Sequence, residues 1–302
     1  MPLAPEAQLA ADYAHCARIA RHAENFPVAS RLLPARFRPH LAAIYAYARG
    51  ADDIADEASP RMGDAAVAPE ADARLAALAA WERGLSGDAP PGTEPVFRAL
   101  AASRRACSLP DDELRLLIEA FRDDVRHQGY ATWEGLLAYA RQSAAAIGRL
   151  VLAVADVHDP DLIRASDDLC VALQLTNFWQ DLSRDMPRGR ITLPESIWRS
   201  KSFDAARLRE EGWGTTSAAN RTRLTSALDI AIARTEELFK SSRRLPAQSG
   251  PALASYLGAV WIGGHTILSR VRELGPRAFV QRPSLSWTDR AAIAWRAVVT
   301  RA

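Results

Sequence analysis

Leu41-Ala42-Ala43-Ile44-Tyr45-Ala46-Tyr47-Ala48-Arg49-Gly50-Ala51-Asp52-Asp53-Ile54-Ala55-Asp56 is the stretch that decides the fold class. Its apolar and aromatic residues recur at three and four positions, the period of an amphipathic helix. Through that helix runs a polar line of Tyr45, Arg49, Asp52 and Asp56. Asp52 and Asp56 share one face about one 5.4 Å turn apart, and Asp53 lies about 100° away. Like charges so placed repel by a few tenths of a kcal/mol, and a cation would offset them. An acidic helix end before a loop would also account for Asp56 and Glu57, although it puts negative charge at the end the helix dipole disfavours.

A second cluster lies further along the chain. Asn177, Asp181 and Asp185 repeat the four-residue spacing, with Gln174 on the same face of a helix predicted over Pro160 to Asp185. Leu173, Leu175, Phe178, Trp179 and Leu182 stand around them, so these carboxylates read as embedded in apolar surroundings, where charges need partners. Two such sets on separate, facing helices suit Mg²⁺, which keeps several waters and bridges carboxylates to substrate phosphates. The ligand this points to is a diphosphate. Arg49, and Arg188 and Arg190 just after the second cluster, supply cations for its other oxygens.

The rest of the chain reads as helical too. Helices are predicted over Ala7 to Ala23, Arg38 to Glu57, Ala71 to Arg83 and Pro95 to Cys107, and from Pro110-Asp111-Asp112-Glu113, whose acids complement a helix start. Thr132 reads as the N-cap of one helix running through Tyr139 and Gly148 to Ala155. Others are predicted near Ser217 to Ser242, Pro251 to Leu274 and from Thr288 onward. Ala58 to Glu70, Gly84 to Pro95 and Met186 to Pro194 read as loops. With 48% hydrophobic residues, rich in alanine and leucine, the 302 residues fit an all-α class and one large domain. The net charge of +2, without a basic block, argues against a nucleic-acid surface. Cys16, Cys107 and Cys170 are too scattered for a disulfide framework or zinc site, which fits a reducing cytosol. The apolar segment Ala252 to Leu268 is short of the ~20 residues of a spanning helix and reads as a buried one. That leaves room for a cytoplasmic protein with a peripheral contact on the inner face of the membrane.

Leu32-Leu33-Pro34, Ile44 to Arg49 running into Asp52-Asp53-Ile54-Ala55-Asp56, Tyr139 with Gly148, and Leu173-Gln174-Leu175-Thr176-Asn177 running into Asp181, Asp185 and Arg190 together resemble the squalene and phytoene synthase family. The resemblance covers nearly the whole chain. It implies an all-α, single-domain, isoprenoid-synthase-type helical fold over residues 1–302 with a central active-site cavity. It implies catalytic roles for Tyr45, Asp52, Asp56, Asp181 and Asp185, and roughly two or three Mg²⁺ ions on Asp52, Asp53, Asp56, Asn177, Asp181 and Asp185. Substrate and diphosphate are then expected at Asn25, Phe26, Arg49, Tyr139, Gln174, Asn177, Gln180, Arg188 and Arg190.

Within the family, Glu24 to Ser30, Ala51 to Glu57 and Asn177 to Asp181 look most like the bacterial hopanoid-pathway branch called HpnC, the hydroxysqualene synthases. The branch implies a lyase that ionises presqualene diphosphate and lets water capture the rearranged cation. NADPH is not expected, and the partners are the isoprenoid diphosphate and other enzymes of the same pathway. Condensing members usually carry serine where Asn25 stands, glycine at Ala145 and often arginine at Gln180. The loss of that arginine weighs against binding a second diphosphate. The branch itself often has Asn-Pro where Ala145-Ala146 stand. A head-to-head condensing enzyme and a non-catalytic helical assembly factor remain as alternatives.

Overall fold

The computed structural model describes residues 4–21, 32–56, 67–126, 129–188, 190–198 and 217–299. These residues form helices and connecting turns, with no strand among them. The helices are α1 (Pro5–Ala20), α2 (Arg38–Asp56), α3 (Val67–Arg83), α4 (Glu94–Cys107), α5 (Asp111–Arg126), α6 (Trp133–Ala140), α7 (Ala146–Val154), α8 (Pro160–Gln180), α9 (Leu182–Asp185), α10 (Glu195–Trp198), α11 (Ala218–Ser241), α12 (Leu245–Gln248), α13 (Ala254–Leu274) and α14 (Trp287–Val299).

Local chemistry sets several of these boundaries. Asp111, Asp112 and Glu113 occupy the first turn of α5, where negative charge meets the positive end of the dipole. Thr132 caps α6 by accepting the Gly135 amide at 3.0 Å. Asp159 caps α8 through the Asp161 amide at 2.8 Å, and Pro160 occupies the first helical position. The apolar segment expected to be buried forms much of α13, which packs on α8 and α14.

The structure corrects two predicted helices. The run from Thr132 to Ala155 is interrupted by a π-helical turn over Arg141–Ala145, which packs against α5, α7 and α8. Single-turn π-bulges of this kind occur inside α-helices, frequently at functional sites. The helix predicted to reach Asp185 ends at Gln180, because Asp181 leaves helical geometry with φ −95° and ψ 6°. Asp181 and Asp185 therefore do not lie on one continuous helix with Asn177.

Two glycines allow the close packing that positions the aspartate helices. A Cβ on Gly50 would fall 2.2 Å from the Trp81 ring, and that ring donates its N–H to the Tyr47 carbonyl at 3.2 Å. A Cβ on Gly148 would fall 2.6 Å from Cys170 Sγ and 2.7 Å from Ser166 Oγ, so only glycine lets α7 lie this close to α8. Arg149 on α7 then bridges Asp167 of α8, at 2.7 and 2.9 Å, and Glu113 of α5 at 3.0 Å. α7 also packs on α2. The helices carrying the two clusters are thus held in one frame through α5 and α7.

Candidate active site

The first cluster sits in the last turn of α2. Arg49 pairs with Asp52 at 2.9 Å and also with Asp53. The Asp52 carboxyl is pushed up to about 6, first by burial and then by the like charge of Asp56, with Arg49 and Arg190 acting in the opposite sense. Asp124, near the end of α5, belongs to the same electrostatic field. Burial, together with the charges of Asp52 and Asp56, pushes its carboxyl up to about 7 although Tyr139 donates a hydrogen bond to it at 3.0 Å.

The second cluster straddles the end of α8. The Asp181 amide donates to the Asn177 carbonyl at 2.9 Å, and the Asp185 amide to the Asp181 carbonyl at 2.9 Å, so the four-residue backbone spacing persists across the break. Arg282, just before α14, grips the Asp181 carboxylate through Nε and, at 3.4 Å, through Nη2. Its neighbour Pro283 accepts the Gln180 side-chain amide at 2.8 Å. Gln180 is buried, so this bond fixes the loop that delivers Arg282.

Arg190 joins the two clusters. Its backbone amide donates to the Asp185 carbonyl at 3.0 Å, and its guanidinium stands 3.7 Å from Asp56. Beside this junction lies an aromatic wall. Tyr130, Tyr139 and Phe178 have ring centroids 5.5 to 6.2 Å apart, and Tyr139 stacks on Phe178 with an interplanar angle of 25°. Burial and the charge on Asp124 hold the Tyr139 phenol far above its ordinary range, so it stays protonated. Tyr45 is half-buried, its phenol raised by burial within the field of Arg49 and the α2 carboxylates.

The donors are hard carboxylate oxygens whose mutual repulsion calls for cations. Among the described residues no three carboxylate, imidazole or thiol groups converge tightly enough to hold a metal by themselves. An ion that completes its shell with water and phosphate oxygen needs no such closed cage. The donor set therefore fits Mg²⁺ shared with a diphosphate, and the arginines around it are the cations that phosphate oxygens favour.

Residues 19–290 match the family described as squalene/phytoene synthase. The chain belongs to that family. Within it, the chain is 35% identical over 224 residues to the hydroxysqualene synthase of Zymomonas mobilis, covering 72% of this chain and 68% of that protein. It is 37% identical over 174 residues to the phytoene synthase of Cereibacter sphaeroides, covering 56% of this chain and 48% of that one. Among solved structures, squalene synthase HpnC from Alicyclobacillus acidocaldarius superposes with a TM-score of 0.74 at 36% identity, over 89% of this chain and 96% of that one.

In this squalene/phytoene synthase chain, most of the described residues expected at the site lie on α2, on α6 and around the α8–α9 junction. Asp52, Asp53 and Arg49 stand together beside Asp56, the Asp185 carbonyl meets the Arg190 amide while Asp181 is held by Arg282, and Tyr139 of α6 reaches Asp124. Gln174 and Asn177 are half-buried on α8. Gln180, expected at the diphosphate, has its amide nitrogen on the Pro283 backbone. The expectation of apolar-embedded carboxylates holds for their support more than for the groups themselves. Leu175, Trp179 and Leu182 are buried, whereas the side chain of Asp181 is 23% exposed; in the first cluster those of Asp52 and Asp56 are 36% and 59% exposed. Asn25, Phe26 and the side chain of Arg188 lie outside the described residues.

Sequence reading missed Asp124, Tyr130 and Arg282. Asp124 sits in the pair Asp123-Asp124 with no second carboxylate one turn away. Arg282 meets Asp181 across 101 positions of chain, a separation no local pattern reports.

Proposed function

We propose that this chain converts presqualene diphosphate to hydroxysqualene with Mg²⁺. The carbon–oxygen bond to diphosphate breaks, the cyclopropylcarbinyl cation rearranges, and water adds with loss of a proton, so substrate and water become hydroxysqualene and diphosphate. The observation that carries this reading is Arg190, which spans Asp56 of one cluster and the Asp185 backbone of the other. Two carboxylate sets joined by a cation are what a diphosphate with its counter-ions requires.

Asp52, Asp53 and Asp56 on one side, and Asn177, Asp181 and Asp185 on the other, would hold the metal. Bound Mg²⁺ supplies Lewis acidity toward the departing diphosphate. Arg49 and Arg190 orient the phosphate oxygens, and Arg282 holds Asp181 in position. Tyr130, Tyr139 and Phe178 offer ring faces to a carbocation, an attraction of about 0.5–2 kcal/mol per ring. Tyr139 is kept from rotating by its hydrogen bond to Asp124. Similarity to a hydroxysqualene synthase over 72% of the chain and to an HpnC structure over 89% supports this reading.

One observation favours a second reading. Arg282 places a guanidinium on Asp181, close to where Gln180 lacks one, and this would serve a condensing enzyme that binds two diphosphates. Incubation with Mg²⁺ and presqualene diphosphate, with and without NADPH, followed by mass analysis, separates the two. Hydroxysqualene formed without NADPH is the expected product. Consumption of farnesyl diphosphate alone, with presqualene diphosphate untouched, would establish the condensing reading instead.

A further inference from the structure

The proposed reaction ends by releasing a proton, because water joins the cation through an oxygen lone pair and must then lose one of its hydrogens. Most groups of the site cannot take it. The arginines are already protonated, and the carboxylates assigned to Mg²⁺ bind it through the lone pairs that a base would use. Asp124 on α5 stands outside that set, yet within the field of Asp52, Asp56 and Arg190.

Its surroundings set it apart from the other aspartates. Asp52 and Asp53 pair with Arg49, Asp56 with Arg190 and Asp181 with Arg282, while the adjacent Asp123 lies 3.9 Å from Arg126. Asp124 is partly buried and its carboxylate is held by the Tyr139 phenol, which donates to it at 3.0 Å. A carboxylate paired with a phenol is a stronger base than one paired with a guanidinium. Burial and the nearby carboxylates bring its pKa up to about 7, where a base is both available and able to accept a proton at neutral pH.

Tyr139 links Asp124 to the aromatic wall. Its oxygen holds the carboxylate and its ring stacks on Phe178, and both rings are half-buried, so part of each stays accessible. A carboxylate placed directly on a carbocation would attack it and form an ester. Acting through a phenol, Asp124 can take a proton without competing with water for the cation.

We infer that Asp124 accepts, through Tyr139, the proton lost when water captures the cation. The water oxygen bonds to the cationic carbon, one water O–H bond breaks as its proton passes to the Tyr139 oxygen, and the phenol's own proton passes to the Asp124 carboxylate. Cation, water and carboxylate become alcohol and carboxylic acid, and the phenol is regenerated. Asp124 returns its proton to solvent as the product leaves.

This inference rests on the reaction proposed above, and its experiment separates the two. Each protein is incubated with Mg²⁺ and presqualene diphosphate, and the hydroxysqualene formed is divided by the diphosphate released. In the wild type the ratio should be near one. Asp124→Asn should keep diphosphate release within about fivefold while the ratio falls about tenfold or more, with other alcohols or hydrocarbons making up the difference. Tyr139→Phe removes the relay and keeps the ring, and should lower the ratio similarly. The double variant should fall no further, as for two groups on one path. A merely structural role would lower release and hydroxysqualene together and leave the ratio alone. An unchanged ratio in Asp124→Asn or in Tyr139→Phe therefore overturns the relay and leaves the reaction standing, as does full multiplication of the two effects. A wild type that makes no hydroxysqualene overturns both. Circular dichroism checks folding, and should Asp124→Asn not fold, Tyr139→Phe decides alone.

Discussion

The guanidinium of Arg190 lies 3.7 Å from the carboxylate of Asp56 while its backbone amide holds the Asp185 carbonyl at 3.0 Å, so one residue ties together acidic clusters about 130 positions apart in the chain. Both side chains of the pair are at least half exposed, so it adds little to stability. Arg190→Gln is therefore expected to lower kcat/KM for diphosphate release by about 10- to 100-fold, the loss of one charge-assisted contact to phosphate. The same substitution should change unfolding free energy by less than about 1 kcal/mol in urea titration. A large loss of stability with intact turnover would reverse the assignment.

Within the α2 cluster the three aspartates are not equivalent. Asp53 is 56% exposed, points about 100° away from the Asp52 and Asp56 stripe and is paired with Arg49. Asp53→Asn should retain activity within about tenfold, whereas Asp52→Asn and Asp56→Asn should each lose about 100-fold or more. Steady-state assays at saturating Mg²⁺ decide this, and equal losses at all three positions would refute the geometry.

Asp124 predicts a pH dependence. Its carboxyl is pushed up to about 7 in the fold, against 3.8 for an unperturbed aspartate. The folded state thus binds the proton more tightly than the unfolded one. Stability from this group is complete below about pH 4 and is lost as pH rises through about 7. In metal-free buffer at pH 8, Asp124→Asn should be more stable than the natural protein by on the order of 2 kcal/mol, with the difference gone near pH 4. Tyr139 can still donate to the asparagine oxygen. Urea unfolding at both pH values checks it, and a variant less stable at pH 8 would contradict the burial argument.

Gln180 acts on Asp181 through the backbone. Replacing it with leucine leaves the Pro283 carbonyl without the Gln180 amide in a buried setting, which costs about 1–3 kcal/mol. Gln180→Leu should also reproduce part of the activity lost in Arg282→Gln, because both loosen the guanidinium on Asp181. Combined, the two substitutions should lose less than the product of their separate effects. Full multiplicativity would mean that Gln180 does not work through Arg282.

Much of this architecture was legible in local patterns. The period of Leu41 to Ile54 specified α2, the acids at Asp111 to Glu113 marked the start of α5, and Thr132 and Asp159-Pro160 marked helix boundaries through capping chemistry. The end of α8 at Gln180 was not legible, because neither glycine nor proline stands there and Asp181 leaves helical geometry in a tertiary setting that includes Arg282. The π turn at Arg141–Ala145 was hidden for a similar reason, since alanines on either side suit a plain helix and the turn is packed among α5, α7 and α8. At the site, residues repeating at helical spacing were visible, and single residues contributed by another helix or loop were not. Asp124 and Arg282 are of the second kind, and both became apparent only once the chain was folded.

The central claim is that both aspartate clusters act on one diphosphate, and the most direct measurement is the rate of Mg²⁺-dependent diphosphate release from presqualene diphosphate by the natural protein, Asp52→Asn, Asp181→Asn and the double variant. Each single substitution should lower the rate by about 100-fold or more, and the double variant should fall well short of the product of the two, as for residues that work as a unit. Release that survives Asp181→Asn, or that does not require Mg²⁺, would contradict the account.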